Sequence, residues 1–173
     1  MTFSPELESL FEQFLNKYPA GQKRSAMIPM LIYGQDEVGS ITDELVEEVA
    51  KRVGVTALQV NEVVGFYSML HRKPMGKYHV QVCTNISCLL VGGMELYDQA
   101  CKKLGIGHKQ VTADGRVSLE EVECIGACSW APAMQVNYDF YHDVTPQQLD
   151  KLLDGLTAGK QPEQIADVSR VNS

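Results

Sequence analysis

The chain of 173 residues has no long apolar segment and no leader-like N-terminus. Its apolar runs fall far short of the roughly 20 residues that a transmembrane helix needs, so we expect no direct membrane insertion. The first residues, MTFSPELESLFEQF, have neither the basic nor the apolar region of a secretory signal. These absences predict a cytoplasmic protein. Thiols stay reduced there, so the five cysteines are poor candidates for a disulfide framework.

Basic residues are scarce: 15 Lys and Arg stand against 22 Asp and Glu, which gives a formal net charge of -7. Basic clusters are short, as at Lys102 and Lys103. Such a chain would repel the phosphates of nucleic acid, so we expect no nucleic-acid partner. The glycine-rich patterns G-x-G-x-x-G and Walker A are also absent. We therefore place no nicotinamide or nucleotide site in this chain.

The first part of the chain has the apolar spacing of helices. One apolar stripe covers residues 7–18. A second helix is predicted over about 25–33, with Pro29 in its first turn, where amide donors lack partners in any case. Thr42 is a predicted N-cap, and Thr56 begins a capping-box pattern. Four short helices are therefore expected.

The second part of the chain changes to strand-like alternation. Residues 78–82 alternate between apolar and polar side chains and lead directly into Cys83. A helical face follows, and then Asp114-Gly115 gives a tight-turn signal. Alternation over 134–140 predicts one further strand, which is expected to form a hairpin with the residues after a turn. A capping box at 145–148 begins the last helix.

This order of elements predicts an α+β fold. We expect a helical bundle domain over residues 1–75 and a thioredoxin-like α/β domain with a mixed sheet over 76–160. Residues 161–173 are polar and are predicted to form a C-terminal tail that frays.

Four cysteines form two close pairs, Cys83 with Cys88 and Cys124 with Cys128. Each pair lies in a loop-like stretch after a predicted strand, and 35 residues separate the pairs, so folding can bring four thiolates to one point. Four converging thiolates are typical of a zinc site or of an iron-sulfur cluster.

The spacing within the pairs favours the cluster. The gaps are four and three residues, whereas structural zinc sites most often have gaps of two. Wider gaps suit two irons, each held by one pair. Gly126 and Ala127 are small enough to let backbone amides approach the sulfurs, and the loop 84–87 offers hydroxyl and amide donors. Plant-type, four-iron and Rieske patterns are missing. Zinc and unrelated buried thiols remain as alternatives.

Three segments resemble a known family: GKYHVQVCTNISC, VECIGACSWAP and the upstream VVGFYSML. Over about residues 5–160 the chain resembles the E subunit of bacterial respiratory complex I, the NADH:quinone oxidoreductase. The resemblance implies a helical bundle, a thioredoxin-like domain and one 2Fe-2S cluster ligated by Cys83, Cys88, Cys124 and Cys128.

The same resemblance implies partners and a role. It implies docking to a flavoprotein (F) subunit that carries FMN and the NADH site, and to other peripheral-arm subunits of the complex. The chain would then be an electron-transfer subunit with no catalytic activity alone, peripheral on the cytoplasmic side of the inner membrane. The rivals are a diaphorase subunit of an NAD-linked hydrogenase or formate dehydrogenase, a free thioredoxin-like ferredoxin, and a zinc-stabilised interaction module.

Several other residues invite a functional interpretation, and we expect most of them to be structural. Cys101 lies on an apolar helical stripe and is predicted to be a core thiol. Trp130 follows Cys128 and fits core packing as well as shielding of the cysteines. Pro132 is expected to follow a trans bond. His79 is expected at the surface. Phe66 and Tyr67 could form an interface with the flavoprotein, but aromatic residues at helical spacing are more often in the core, where we expect them.

Overall fold

A computed structural model describes residues 2–165, 168, 170 and 171 of the chain. The chain divides into two compact units, Met1–Pro74 and Met75–Ser173. The first unit consists of helices and the second contains a mixed sheet with helices, so the predicted α+β fold class is confirmed. Among the described residues, no helix combines the length and the apolar character that a bilayer crossing requires.

Four α-helices build the first unit, as predicted. Their apolar faces form one core in which Phe11, Met30 and Leu45 are fully buried. The helices are α1 (Pro5–Asn16), α2 (Met27–Val38), α3 (Asp43–Val53) and α4 (Ala57–Phe66).

The predicted caps of α3 and α4 are confirmed. The Thr42 side chain accepts a hydrogen bond from the backbone N–H of Leu45. Thr56 and Gln59 form a full capping box at α4. A cap of this kind stabilises a helix by about 1 kcal/mol, because it satisfies an amide that would otherwise lack a partner. The helix starts are therefore encoded locally.

Helix α2 is longer than the predicted segment. Pro29 lies in its first turn, as expected, but the helix continues to Val38. The added turn places Gln35 where its side chain donates to the carbonyl of Met69 at 3.1 Å and accepts from the N–H of His71 at 2.6 Å. These partners lie more than 30 residues away in the chain. The local sequence pattern does not reveal them, and the predicted helix therefore ends too early.

The second unit contains a mixed sheet. Strand β1 pairs in parallel with β3 and antiparallel with β4. The order across the sheet is β2-β3-β1-β4-β5-β6. The strands are β1 (Tyr78–Cys83), β2 (Gln110–Val111), β3 (Val117–Val122), β4 (Met134–Val136), β5 (Asp139–Tyr141) and β6 (Arg170–Val171).

Three helices accompany the sheet: α5 (Ile86–Leu90), α6 (Gly93–Leu104) and α7 (Pro146–Thr157). The predicted single strand over 134–140 is wrong: β4 ends at Val136, Asn137 has a φ of 53° in the turn that follows, and β5 pairs back on β4 as a hairpin inside the predicted strand. The predicted capping box begins α7 at Thr145. Helices α6 and α7 contribute apolar side chains to one core with the strands, in which Val80, Leu119 and Leu153 are fully buried. Helix α6 lies in the connection between the parallel strands β1 and β3.

The predicted polar tail, 161–173, lies in part outside the described residues, since 166, 167, 169, 172 and 173 are not among them. Within it, residues 162–164 form a 3-10 turn, and Ile165 packs against the core of the second unit. The backbone of Arg170–Val171 pairs with β5.

A polar cluster lies on β1 and β3, on the face opposite the apolar core. The His79 ring bridges Ser118 Oγ and Glu120 Oε2, each at 2.9 Å, and Lys109 Nζ lies 3.3 Å from Glu120 Oε1. Only 12% of the His79 side chain is exposed, so the expected surface position is wrong. Strand alternation shows which face a residue is on but not what covers that face.

The carboxyl group of Glu120 is buried and ionised. Burial by itself would raise its pKa, but hydrogen bonds from His79 and Gln81, with the positive charges of His79 and Lys109, outweigh burial and lower the pKa to about 2. A folded-state pKa below the ordinary value of 4.5 means that the ionised carboxylate favours the folded state.

Glu120→Gln removes this titration. The contribution of Glu120 is fully present above about pH 4.5 and is lost as the pH falls towards 2. Over that window we expect the free energy of unfolding of the unsubstituted protein to fall by about 3 kcal/mol more than that of the variant. Urea unfolding at a series of pH values measures the difference. Glu12→Gln, at an exposed position of α1, is the control. Its free energy of unfolding should depend on pH in the same way as that of the unsubstituted protein. Parallel curves for Glu120→Gln and the unsubstituted protein would contradict this assignment.

Candidate metal centre

Both cysteine pairs lie at the same end of the sheet. Cys83 is the last residue of β1 and is in register with Val122, the last residue of β3. Because the two strands are parallel, the chain leaves both at one edge. The backbone N–H of Thr84 donates to the carbonyl of Val122 at 3.0 Å, which joins the segments just beyond the strands. Cys124 follows two residues after Val122.

The sulfur atoms are close within each pair. Cys124 Sγ and Cys128 Sγ are 3.9 Å apart, and the thiols of Cys83 and Cys88 are in hydrogen-bonding contact. Two thiolates on one tetrahedral metal, with metal-sulfur distances of about 2.3 Å, are roughly 3.8 Å apart. The spacing of Cys124 and Cys128 therefore fits two ligands of one metal ion.

The two pairs differ in their exposure to solvent. Cys83 and Cys88 are buried and pack with Ala127 and Ala133 in a small apolar cluster. Cys124 and Cys128 are exposed. Since Ala127 lies between the second pair of cysteines, this cluster brings the two loops into contact.

The electrostatics of the four thiols favour a bound cation. Burial is the main cause that raises the pKa of Cys88 to about 11, and the neighbouring Cys83 and Cys128 add to the rise. A hydrogen bond from the backbone of Ala133 lowers this pKa but does not cancel the effect of burial. The hydrogen bond with Cys124 and the charge of that thiolate raise the pKa of Cys128. Four thiolates at this position repel one another. A metal centre compensates for this repulsion and keeps its thiol ligands deprotonated, so the donor set fits such a centre.

Hydrogen-bond donors reach the sulfur atoms. The backbone N–H of Gly126 donates to Cys124 Sγ at 3.4 Å, which confirms the approach expected of this small residue. Gly126 has a φ of 80°, a left-handed conformation that glycine adopts without strain. The Ser87 hydroxyl forms a hydrogen bond with Cys128 across the two loops. Hydrogen bonds to sulfur stabilise added negative charge and thereby tune the reduction potential.

The start of α6 lies directly against the first cysteine loop. A Cβ on Gly93 would lie 2.6 Å from the carbonyl oxygen of Cys83 and 2.8 Å from that of Cys88. These are backbone atoms and cannot turn aside as a flexible side chain does. A residue without a side chain is needed at this position for α6 and the loop to pack.

Cys101 belongs to a different environment from the four paired cysteines. It is partly buried, packs against the core of the second unit, and forms a hydrogen bond with Tyr97. Burial and then this hydrogen bond raise the pKa of Tyr97. The predicted core role of Cys101 is confirmed, although its burial is incomplete.

Two expectations from the sequence are wrong, and one of the two alternatives for Trp130 is excluded. Trp130 does not pack in the core, because it is 53% exposed and stacks on the His142 ring with centroids 4.9 Å apart. Phe66 is 82% exposed at the last position of α4, whereas Tyr67 packs against the helical core. The Ala131–Pro132 bond is cis. The intrinsic preference for trans is only about 0.5–1 kcal/mol, so tertiary context decides the isomer.

An exposed apolar surface that the sequence analysis missed borders the cysteines. The segments 83–94 and 124–134, which carry the two pairs, contain no charged residue in a chain that is 21% charged. Helix α5 lies beside the 3-10 turn Cys128–Trp130. We call the exposed side chains of these elements the cysteine rim: Ile86, Leu89, Leu90, Val91 and Trp130. The two uncharged runs are the feature of the sequence that could have revealed this surface. Apolar residues in a short helix usually indicate burial, which is why the surface was not predicted.

Comparisons with known proteins agree on one family. The family model for the thioredoxin-like 2Fe-2S ferredoxin matches residues 11–157. The NADH-quinone oxidoreductase subunit 2 of Thermus thermophilus is 44% identical over 166 residues, which cover 95% of this chain and 92% of the relative. The E subunit of the NADH-quinone oxidoreductase of Rickettsia felis is 40% identical over 154 residues, which cover 88% of this chain and 92% of the relative.

A solved structure shares the fold. The crystal structure of an NAD+-reducing NiFe-hydrogenase in the H2-reduced state aligns with a TM-score of 0.67 and 19% identity, over 79% of this chain and 23% of the hydrogenase chain. At this identity the likeness concerns the fold alone. The family match extends over most of the chain and includes both cysteine loops. The chain belongs to the thioredoxin-like 2Fe-2S ferredoxin family.

Proposed function

We propose that this chain is the electron-transfer subunit of an NADH:quinone oxidoreductase, and that Cys83, Cys88, Cys124 and Cys128 ligate its single 2Fe-2S cluster. The observation that carries the proposal is the convergence of two thiol pairs at the ends of the parallel strands β1 and β3, with 3.9 Å between the sulfurs of the second pair. The choice of this complex rests on the names of the relatives that match nearly the whole chain.

The protein's own groups suit a centre that gains and loses charge. When bound, a 2Fe-2S cluster supplies a site for one electron. The buried pair and the alanines beside it keep water from one side of the site. The amide of Gly126 and the hydroxyl of Ser87 donate to sulfur on the exposed side, where they stabilise an added negative charge.

The proposed partner is a flavoprotein (F) subunit that carries FMN and the NADH site, within the peripheral arm on the cytoplasmic side of the inner membrane. The absence of glycine-rich nucleotide motifs in this chain supports a division of labour between two subunits. The cysteine rim supports a lasting protein contact, because exposed apolar patches mark interaction surfaces. Relatives named as quinone oxidoreductase subunits favour this assembly over a hydrogenase or a formate dehydrogenase.

The direct test of the cofactor is visible absorption of an anaerobic preparation, combined with assays for iron, acid-labile sulfide and zinc. We expect a coloured protein with about two irons and two sulfides per chain. A colourless protein that contains zinc and lacks acid-labile sulfide would overturn the proposal in favour of a zinc-stabilised module.

Serine substitutions separate the proposed ligands from the remaining cysteine. We expect Cys124→Ser to abolish or strongly alter the electron paramagnetic resonance signal of the reduced protein, because an alcohol replaces a thiolate at the metal. Cys101→Ser is the matched control and should leave the signal unchanged, since Cys101 packs against the core of the second unit. Equal loss of signal in both variants would refute the assignment of the four ligands.

The purified chain, free of flavin, should not oxidise NADH with an artificial electron acceptor. We expect turnover only after the flavoprotein subunit is added, because this chain carries no glycine-rich site for the nucleotide. Spectrophotometry of NADH consumption, with and without the partner, measures the difference. Sustained turnover by the flavin-free chain alone is the result that this assignment forbids.

Leu90→Glu tests the cysteine rim as the contact surface. Leu90 is 80% exposed, so a carboxylate there should leave the fold intact but place an unpaired charge in an apolar interface. We expect loss of co-purification with the flavoprotein subunit, while the visible spectrum of the variant is retained. Leu58→Glu, at a position 69% exposed on α4, is the control and should still co-purify. Recovery of the Leu90→Glu variant at the level of the unsubstituted protein would rule out the rim as the contact.

A further inference from the structure

A side-chain hydrogen bond joins the two segments that carry the cysteines. Thr84 Oγ1 donates to Glu121 Oε1 at 2.9 Å. Thr84 directly follows Cys83, and Glu121 lies three residues before Cys124. The bond therefore links the start of one cysteine loop to the strand that leads into the other.

Glu121 contacts the first cysteine loop and the segment before β2, and its charge acts on α6. In the sheet register Glu121 is opposite Val82 of β1, and its side chain reaches past the end of that strand to Thr84. The pKa of the Tyr97 phenol, on α6, is raised first by burial and then by the contact with Cys101. The negative charge of Glu121 is a smaller cause of the same rise. The backbone N–H of Glu121 donates to the His108 ring at 3.3 Å. Glu121 is thus held by pairing with β1, by Thr84 of the first cysteine loop and by the segment before β2.

The contact differs from the role expected of the Thr84 hydroxyl. The sequence predicts that the loop 84–87 directs its hydroxyls at the sulfurs, and Ser87 does so towards Cys128. The Thr84 hydroxyl instead donates to a carboxylate. Hydrogen bonds to ionised groups are stronger than those between neutral groups, so this contact restrains the loop more firmly than the backbone bond beside it.

We propose that Glu121 is a positioning residue for the cluster, which holds the Cys83–Cys88 loop in place through Thr84 and lowers the reduction potential by its negative charge. The inference rests on the proposed function. Its first part follows from the restraint that the Thr84–Glu121 hydrogen bond provides. Without this hydrogen bond, the loop that presents Cys83 and Cys88 is joined to β3 by backbone contacts. Its second part follows from Coulomb's law, because a fixed negative charge opposes the addition of an electron nearby.

The two parts can be separated by substitution. Glu121→Gln removes the charge but keeps an oxygen that accepts from Thr84. Thr84→Val keeps the charge and the side-chain volume but removes the donor, and Thr84→Ser restores the donor. Glu123→Gln is the control for a general loss of negative charge, because Glu123 is exposed and adjacent to Cys124.

The measurements are the midpoint potential, from redox titration followed by electron paramagnetic resonance, and the half-life of the visible absorption after dilution into chelator. We expect Glu121→Gln to shift the midpoint upwards by more than Glu123→Gln does, with unchanged g values. We expect Thr84→Val to shorten the half-life by about fivefold, the factor expected for the net loss of one hydrogen bond, and to broaden the signal. Thr84→Ser should match the unsubstituted protein.

Two results would overturn the inference. One is a midpoint for Glu121→Gln no higher than that for Glu123→Gln. The other is a Thr84→Val variant that retains its cluster as long as the unsubstituted protein does. Both presuppose that the unsubstituted protein binds iron and acid-labile sulfide. A zinc-containing preparation without sulfide would instead reject the proposed function itself, so the two failures are distinguishable.

Discussion

The parallel pairing of β1 with β3 is the constraint on which the convergence of the four cysteines depends. The two strands are separated in sequence by α5, α6 and β2, yet their register places Cys83 beside Val122. A one-residue slip in this register would shift the two cysteine loops relative to each other and would also move the buried residues of the slipped strand to the wrong face. The apolar core under α6 and α7 therefore stabilises the metal centre as well as the fold.

The site combines groups that are costly to bring together. Mutual repulsion and burial oppose the ionisation of the thiols, as the raised pKa values of Cys88 and Cys128 show. Local hydrogen bonds from Gly126 and Ser87 offset part of this cost. A metal bound by these thiols would offset more of it, because the deprotonated form is the one that binds. Folding and metal binding would then support each other in this unit.

The local elements could be predicted from the sequence because their signals are local. Thr42 and Thr145 cap helices, the turn at Asp114-Gly115 joins β2 to β3, and strand alternation reveals β1. The features that could not be predicted depend on contacts between distant residues. His79 is covered by side chains of β3, α2 extends to reach Met69 and His71, and Trp130 stacks outwards on His142. At the candidate metal centre, the spacing of the cysteines in the sequence identifies the four candidate ligands. It does not reveal the Glu121–Thr84 hydrogen bond or the cysteine rim.

The unequal exposure of the two pairs has a consequence for the protein before it acquires iron. Cys124 and Cys128 are exposed and their sulfurs are 3.9 Å apart, whereas a disulfide requires about 2.05 Å. A displacement of less than 2 Å, within a loop that contains a glycine, would let a two-electron oxidant such as oxygen close this pair into a cystine, which offers no thiolate to a metal. Oxidation of the metal-free chain should therefore occur more readily at Cys124 and Cys128 than at the buried pair.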